Sequence, residues 1–124
     1  MNHNDKALNG FGADLFAGVP VKDIKASIAW YERLFGCPPN FFPNESEAVW
    51  QVSDHQWVYL ITAPEHAGGS ITTVMGGNLE KLIREISERG LEFKEEERPA
   101  EGVRKVMYYD PDGNEIGLGN VASQ

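Results

Sequence analysis

Apolar residues recur along this chain in two rhythms. From Leu15 to Val21 they alternate: Leu15, Ala17, Val19 and Val21 share one face, and Phe16, Gly18 and Pro20 share the other. That is the period of a strand. Pro20 has no amide to give to a ladder, so it marks a strand end or an edge position. Beyond Asp23 the rhythm lengthens, and Ile24, Ile28, Tyr31, Leu34 and Phe35 fall at helical spacing. Asp23 can cap the free amides of the first turn. Gly36 is placed to stop this helix, and Pro38 and Pro39 prevent its resumption. Three strands are expected next, over 40–43, 45–52 and 56–61. In the last, Val58 and Leu60 oppose Trp57, Tyr59 and Ile61. Residues 62–69 contain proline and two glycines and read as a connector.

The same order then recurs. A strand is expected over 70–75, and Asn78 caps a helix striped by Leu79, Leu82, Ile83 and Ile86. Gly90 stops it, and strands follow over 92–96, 103–109 and 114–118. The separation between the two caps nearly equals that between the two stop glycines, which argues for a structural repeat. Each half reads β-α-β-β-β. The expected fold is α+β, with repeats at about 14–62 and 70–121 pairing into one continuous, curved mixed sheet around a cleft, helices outside. Residues 1–13 read as a loose arm and 14–124 as a single domain. Between the last two strands, Asp110-Pro111-Asp112-Gly113-Asn114 has the chemistry of a tight turn. That turn sets the register of the final hairpin, and so decides which side chains face a ligand site.

Composition narrows the partners. The 124 residues carry a net charge of -8 with no dense basic stretch, which argues against nucleic acid. An acidic field attracts cationic ligands, although solubility alone accounts for it as simply. No apolar run is long enough to span a membrane, and the start lacks the features of a signal peptide, so a cytoplasmic protein is expected. Cys37, the one cysteine, excludes an internal disulfide and a thiolate-rich metal site; it reads as packing at a helix end. His3, His55 and His66 share no ligating spacing and read as exposed or turn histidines. No Ser-His-Asp or Cys-His order is legible. The charged run from Glu95 to Arg98 reads as a solvated edge.

Several pieces together resemble the vicinal oxygen chelate superfamily, which includes glyoxalase I, extradiol dioxygenases, and fosfomycin- and bleomycin-resistance proteins. They are Val21-Lys22-Asp23-Ile24, the helix Ser27 to Gly36, Ala67-Gly68-Gly69, and Asp110 to Asn114. The resemblance runs from about Leu15 to Val121. It implies a cleft where metal-using members hold a divalent cation with His and Glu from the first and last strands of each half. Carried onto this chain, those positions fall on Phe16, Tyr59, Ser70 and Gly117, with Glu115 the nearby carboxylate. The expectation is therefore no metal, no cofactor and no catalytic residue of the usual kind.

With helices packed on Val19, Val21, Val58, Leu60, Ile71, Met75, Met107, Ile116 and Leu118, the opposite faces line the cleft. Those faces carry Phe16, Gly18, Trp57, Tyr59, Ile61, Ser70, Thr72, Arg104, Val106, Tyr108, Glu115 and Gly117, with Trp50 and Phe42 candidates to join them. The expected ligand-binding set is Phe16, Trp50, Trp57, Tyr59, Ser70, Arg104, Tyr108 and Glu115. Bleomycin-resistance-like members are metal-free acidic dimers that sequester a cationic drug. The resemblance thus implies a homodimer that binds a cationic or aromatic small molecule without catalysis. Two alternatives stay open: a glyoxalase- or dioxygenase-like enzyme using Glu115 with Tyr59 or His66, and an assembly domain whose cleft is plugged by Trp57 and Tyr108.

Overall fold

The computed structural model describes residues 12–121. Its elements run β1 (Leu15–Val21), α1 (Ile24–Phe35), β2 (Glu47–Ser53), β3 (Gln56–Thr62), a 3-10 turn (Pro64–His66), β4 (Ile71–Met75), α2 (Leu79–Glu88), β5 (Glu95–Ala100), β6 (Val103–Tyr109) and β7 (Glu115–Gly119). The class is α+β: two helices and two small sheets. Of the arm expected over residues 1–13, all but Gly12 and Ala13 lies outside the described residues.

The caps form as their chemistry directs. Asp23 Oδ1 accepts from the amides of Lys25 and Ala26 at 3.1 and 3.2 Å, and Asn78 Oδ1 accepts from Lys81 at 3.1 Å. Gly36 ends α1 in the left-handed region, at φ 80°.

The halves do not join into one continuous sheet. β1, β3 and β2 form one sheet in the order β1-β3-β2, and the other runs β4-β7-β6-β5. We call them sheets A and B. Pro20 sits on edge strand β1, where its missing amide costs no ladder bond. Residues 40–43, expected as a strand, contribute only an isolated bridge from Phe41 to Val49. Prolines at 38, 39 and 43 have no amide to pair, and the Asn40 side chain takes the Gln51 amide at 2.8 Å. β5 begins three residues later than expected, because Leu91 and Phe93 turn into the core. It forms the exposed outer edge of sheet B, so the run from Glu95 to Arg98 is solvated.

One face of each sheet packs on the helices. Val19, Val21, Trp50, Leu60, Val106, Tyr108, Ile116 and Leu118 join Tyr31, Leu34, Leu79, Ile86 and Leu91 in one hydrophobic core. Burying each aliphatic side chain contributes about 1.5–3 kcal/mol relative to leaving it in water. The expected faces of β1, β3 and β7 hold, but those of β4 and β6 are reversed. Tyr108 pairs with Ile116 and Met107 with Gly117, so Arg104, Val106 and Tyr108 share the helix side with Ile116. In β4, Thr72 and Val74 face in while Ile71 and Met75 face out, since Thr72 pairs with Ile116. Cys37 is exposed rather than packed; only its carbonyl is engaged, by Trp50 Nε1 at 2.9 Å.

The halves are clasped by side chains. Asn114, fully buried, donates to the Pro20 carbonyl at 2.8 Å. The Tyr31 hydroxyl donates to Asp110 at 2.8 Å, and Asp112 accepts from the Lys22 amide at 3.1 Å. Arg89, beyond α2, donates to the Arg33 and Leu34 carbonyls at 2.5 and 3.1 Å. It thereby satisfies carbonyls that the end of α1 leaves open. The turn at Asp110–Asn114 thus sets a hairpin and also fastens the second half to the first.

Candidate functional site

β1 and β3 run parallel with Phe16 opposite Trp57 and Gly18 opposite Tyr59. These residues lie on the face of sheet A turned away from the helices. Phe16 stacks on Trp57, with ring centroids 5.4 Å apart and planes 4° from parallel. Tyr59 lies across Gly18: a Cβ there would come within 2.7 Å of the Tyr59 ring, so glycine is what lets the ring lie flat. Trp57 is fixed by Asp14, whose carboxylate accepts its indole N–H at 2.8 Å and sits 3.0 Å from His55 Nδ1. Hydrogen bonds from Trp57 and then His55 hold the Asp14 carboxyl below its ordinary range.

On the same face Val49 opposes Tyr59 and Glu47 opposes Ile61. Phe16, Phe41, Pro43, Glu47, Val49 and Tyr59 enclose an open hollow of about 250 Å³. Phe41 and Glu47 are absent from the set expected from sequence. Glu47 was legible in principle, because Ala48 and Trp50 pack in β2 and the alternate phase must face out. Phe41 was not, since nothing local shows that it bridges to Val49.

Four expected site residues have other employment. Trp50 is in the core, packed on Tyr31 and Phe35. Ser70 donates to Asn114 Oδ1 at 3.0 Å and precedes β4. Arg104 holds Glu96 through two bonds of 3.0 and 3.1 Å, also pairs with Glu80, and lies over the Phe93 ring. Arg104 in turn draws the Glu96 carboxyl below its usual range. Tyr108 lies against Phe93 on the helix side, its buried hydroxyl without a partner among the described residues. Burial pushes its phenol up.

Glu115 is on the open face of sheet B, apart from the aromatic shelf. The Lys105 ammonium is 3.9 Å from it, and the Tyr109 hydroxyl is 3.3 Å away and also bonded to Glu95. The bond to Glu95, followed by desolvation, raises the Tyr109 phenol. The Lys105 side chain lies across Gly117, where a Cβ would meet its Cε at 2.6 Å. Parallel pairing puts Thr73, not Ser70, beside Gly117.

A second hollow, of about 730 Å³, separates the two halves near the β2–β3 hairpin. Its walls include Leu15, Ala17, Val58, Val74 and Leu118, and no charged side chain. It continues the core face; Gln51, Ser53, Gln56, Thr72 and Thr73 are its polar lining, and Trp50 and Trp57 also border it. The smaller hollow brings three aromatic rings, of Phe16, Phe41 and Tyr59, together with the Glu47 carboxylate, and recognition needs such convergence.

A divalent cation needs three or four nitrogen or oxygen donors at about 2.0–2.2 Å. Phe16 and Gly117 offer none, Tyr59 and Thr73 offer neutral hydroxyls, and Glu115 is already paired. Among the described residues no three His, Cys, Asp or Glu come together. The residues at these positions do not fit the metal that such folds can hold.

Two strand-helix-strand modules, each with one helix-covered and one open face, define a class of small domains that build sites on open sheet faces. The chain belongs to the Glyoxalase/Bleomycin resistance protein/Dioxygenase superfamily, whose family model matches residues 13–118. It is similar to a glyoxalase/bleomycin resistance protein from Catenulispora acidiphila, at 46% identity and TM-score 0.85, over 89% of this chain and 99% of that one. It shares the fold of lactoylglutathione lyase from Agrobacterium tumefaciens, at 16% identity and TM-score 0.70, covering 88% and 93% of the two chains. It also shares the fold of a bleomycin-binding protein complexed with bleomycin, at 20% identity and TM-score 0.69, covering 88% and 97%. No curated protein matches the chain. Among the described residues no helix is long and apolar enough to cross a membrane.

Proposed function

We propose that this chain binds a small planar molecule without catalysis, in the metal-free, bleomycin-resistance-like manner. The observation that carries this reading is the stacked Phe16–Trp57 pair beside Tyr59, held on an open sheet face where the usual metal-ligand positions offer no donor set. Phe16 remains 47% exposed, an unfavourable place for a phenyl ring that an occupant would cover. A flat ligand stacked there gains about 0.5–1.5 kcal/mol per aromatic contact beyond the area it buries. The net charge of -8 favours a cation.

The working form is a homodimer. Ile71 and Met75 on the open face of sheet B are exposed, and a second copy would cover them. Light scattering is expected to return twice the chain mass of 13.8 kDa; a monomer at micromolar concentration would remove this part of the reading.

Thermal-shift titration with bleomycin and with planar aromatic cations tests the binding. A ligand at a hundred times its Kd raises stability by about 2.7 kcal/mol. Tyr59→Ala is expected to weaken such binding by roughly tenfold or more, while changing the unliganded midpoint little, because the ring is half-exposed on an open face. If no such compound raises the midpoint, the binding function is wrong. The enzyme alternative pairs Glu115 with Tyr59 or His66; Tyr59 stands on sheet A, and the acid and base groups beside Glu115 on sheet B are Lys105 and Tyr109. Turnover of a hemithioacetal or a catechol by the purified protein would favour it.

A further inference from the structure

Glu47 is the one charged group lining the aromatic hollow of sheet A. Its backbone is fixed by pairing with Ile61, and the side chain is half-buried beside Phe16, Phe41 and Tyr59. One oxygen accepts from Asn44 Nδ2 at 3.2 Å. Among the described residues no Lys, Arg or His forms an ion pair with it, although Glu80, Glu96 and Glu115 all have cationic partners. A carboxylate beside aromatic rings without a counter-ion leaves its charge free for a ligand cation.

Resting on the binding function proposed above, we infer that this hollow is the subsite for an alkylated ammonium group of the ligand. The ring faces carry the negative lobes of their quadrupoles, which attract soft cations of this kind. Glu47 supplies the full charge. Pro43 and Val49 close the floor with apolar surface that suits N-methyl groups better than a strongly hydrated primary ammonium. The volume, about 250 Å³, admits a trimethylammonium head with a short stem but not a large polycyclic system. The planar part of the ligand then extends over the Phe16–Trp57 stack, and its cationic end enters beside Glu47. This assigns the charge recognition to Glu47. Glu115 is tied to Lys105 on the other sheet.

The test uses the 124-residue chain, labelled with nitrogen-15 and titrated separately with benzyltrimethylammonium chloride and with benzyl alcohol. The cation is expected to shift the amides of Phe16, Phe41, Glu47 and Tyr59 and to bind roughly tenfold more tightly than the alcohol. Glu47→Gln keeps the side-chain shape and the bond from Asn44 and is expected to bring the two probes to similar affinities. Equal affinities for the two probes, or a Glu47→Gln variant that retains the preference, overturns the ammonium subsite but leaves aromatic binding standing. Absence of any shift on the aromatic face with either probe overturns both.

Discussion

Replacing Asp110 by alanine is expected to cost about 3–5 kcal/mol. Asp110 is only 5% exposed. One of its oxygens accepts from the amides of Asp112 and Asn114, both at 2.9 Å. The other accepts from the Tyr31 hydroxyl at 2.8 Å and Asn114 Nδ2 at 2.9 Å. Alanine leaves all four donors to find new partners, and each buried donor left orphaned costs about 1–3 kcal/mol. Tyr31→Phe removes one donor and leaves no orphan, so a smaller loss of about 1–2 kcal/mol is expected. Urea denaturation of both single variants and the double variant measures the coupling. Independent effects of Tyr31 and Asp110 would show that the clasp does not join the halves. The same pair gives a pH signature. Burial, then the Asp110 charge, raises the Tyr31 phenol well above its ordinary value of 10.0. The neutral hydroxyl therefore stabilises the fold fully below that pH, and its contribution is lost as pH climbs above it.

Gly68→Ala is expected to cost about 3 kcal/mol, for a different reason. Gly68 has φ 101°, a region that side chains resist, and a Cβ there would come within 2.6 Å of the Asp112 carbonyl oxygen. That neighbour is backbone and belongs to the clasp turn, so it cannot rotate aside as a side chain would. The Gly68 amide also donates to Asn114 at 3.0 Å, and any shift would disturb that bond. Gly69→Ala is the control: its Cβ would meet nothing within 4 Å, and a change within about 0.5 kcal/mol is expected. Similar unfolding midpoints for the two variants would show that the close approach at Gly68 is not required.

The aromatic shelf was legible because β1 and β3 alternate cleanly. Val19, Val21, Val58 and Leu60 can only face the core, so Phe16, Trp57 and Tyr59 must face out. β6 gave no such guidance. Its two phases, Arg104-Val106-Tyr108 and Lys105-Met107-Tyr109, are similarly mixed, and local hydrophobicity cannot choose between them. Pairing with β7 chose, because Ile116 is buried and Tyr108 lies opposite it. That choice withdrew Arg104 and Tyr108 from the open face and put Lys105 across Gly117. The partner of Ser70 was hidden for a related cause: its hydroxyl donates to Asn114, a long-range partner that its neighbours in sequence do not reveal.

By itself the sequence determined whatever is settled within a few residues: both helices with their caps and stops, the alternation of β1 and β3, the turn at Asp110–Asn114, and the absence of metal donors at Phe16 and Gly117. These follow from short-range sterics, capping hydrogen bonds and side-chain chemistry, all carried by the local chain. Only the tertiary structure decided that the halves form two sheets clasped through Asp110, Asn114 and Arg89, that β6 turns Tyr108 inward, and that Glu47 sits among Phe16, Phe41 and Tyr59. Each depends on which distant strand or side chain satisfies a buried polar group or fills a buried face. That competition is resolved only when the whole core packs.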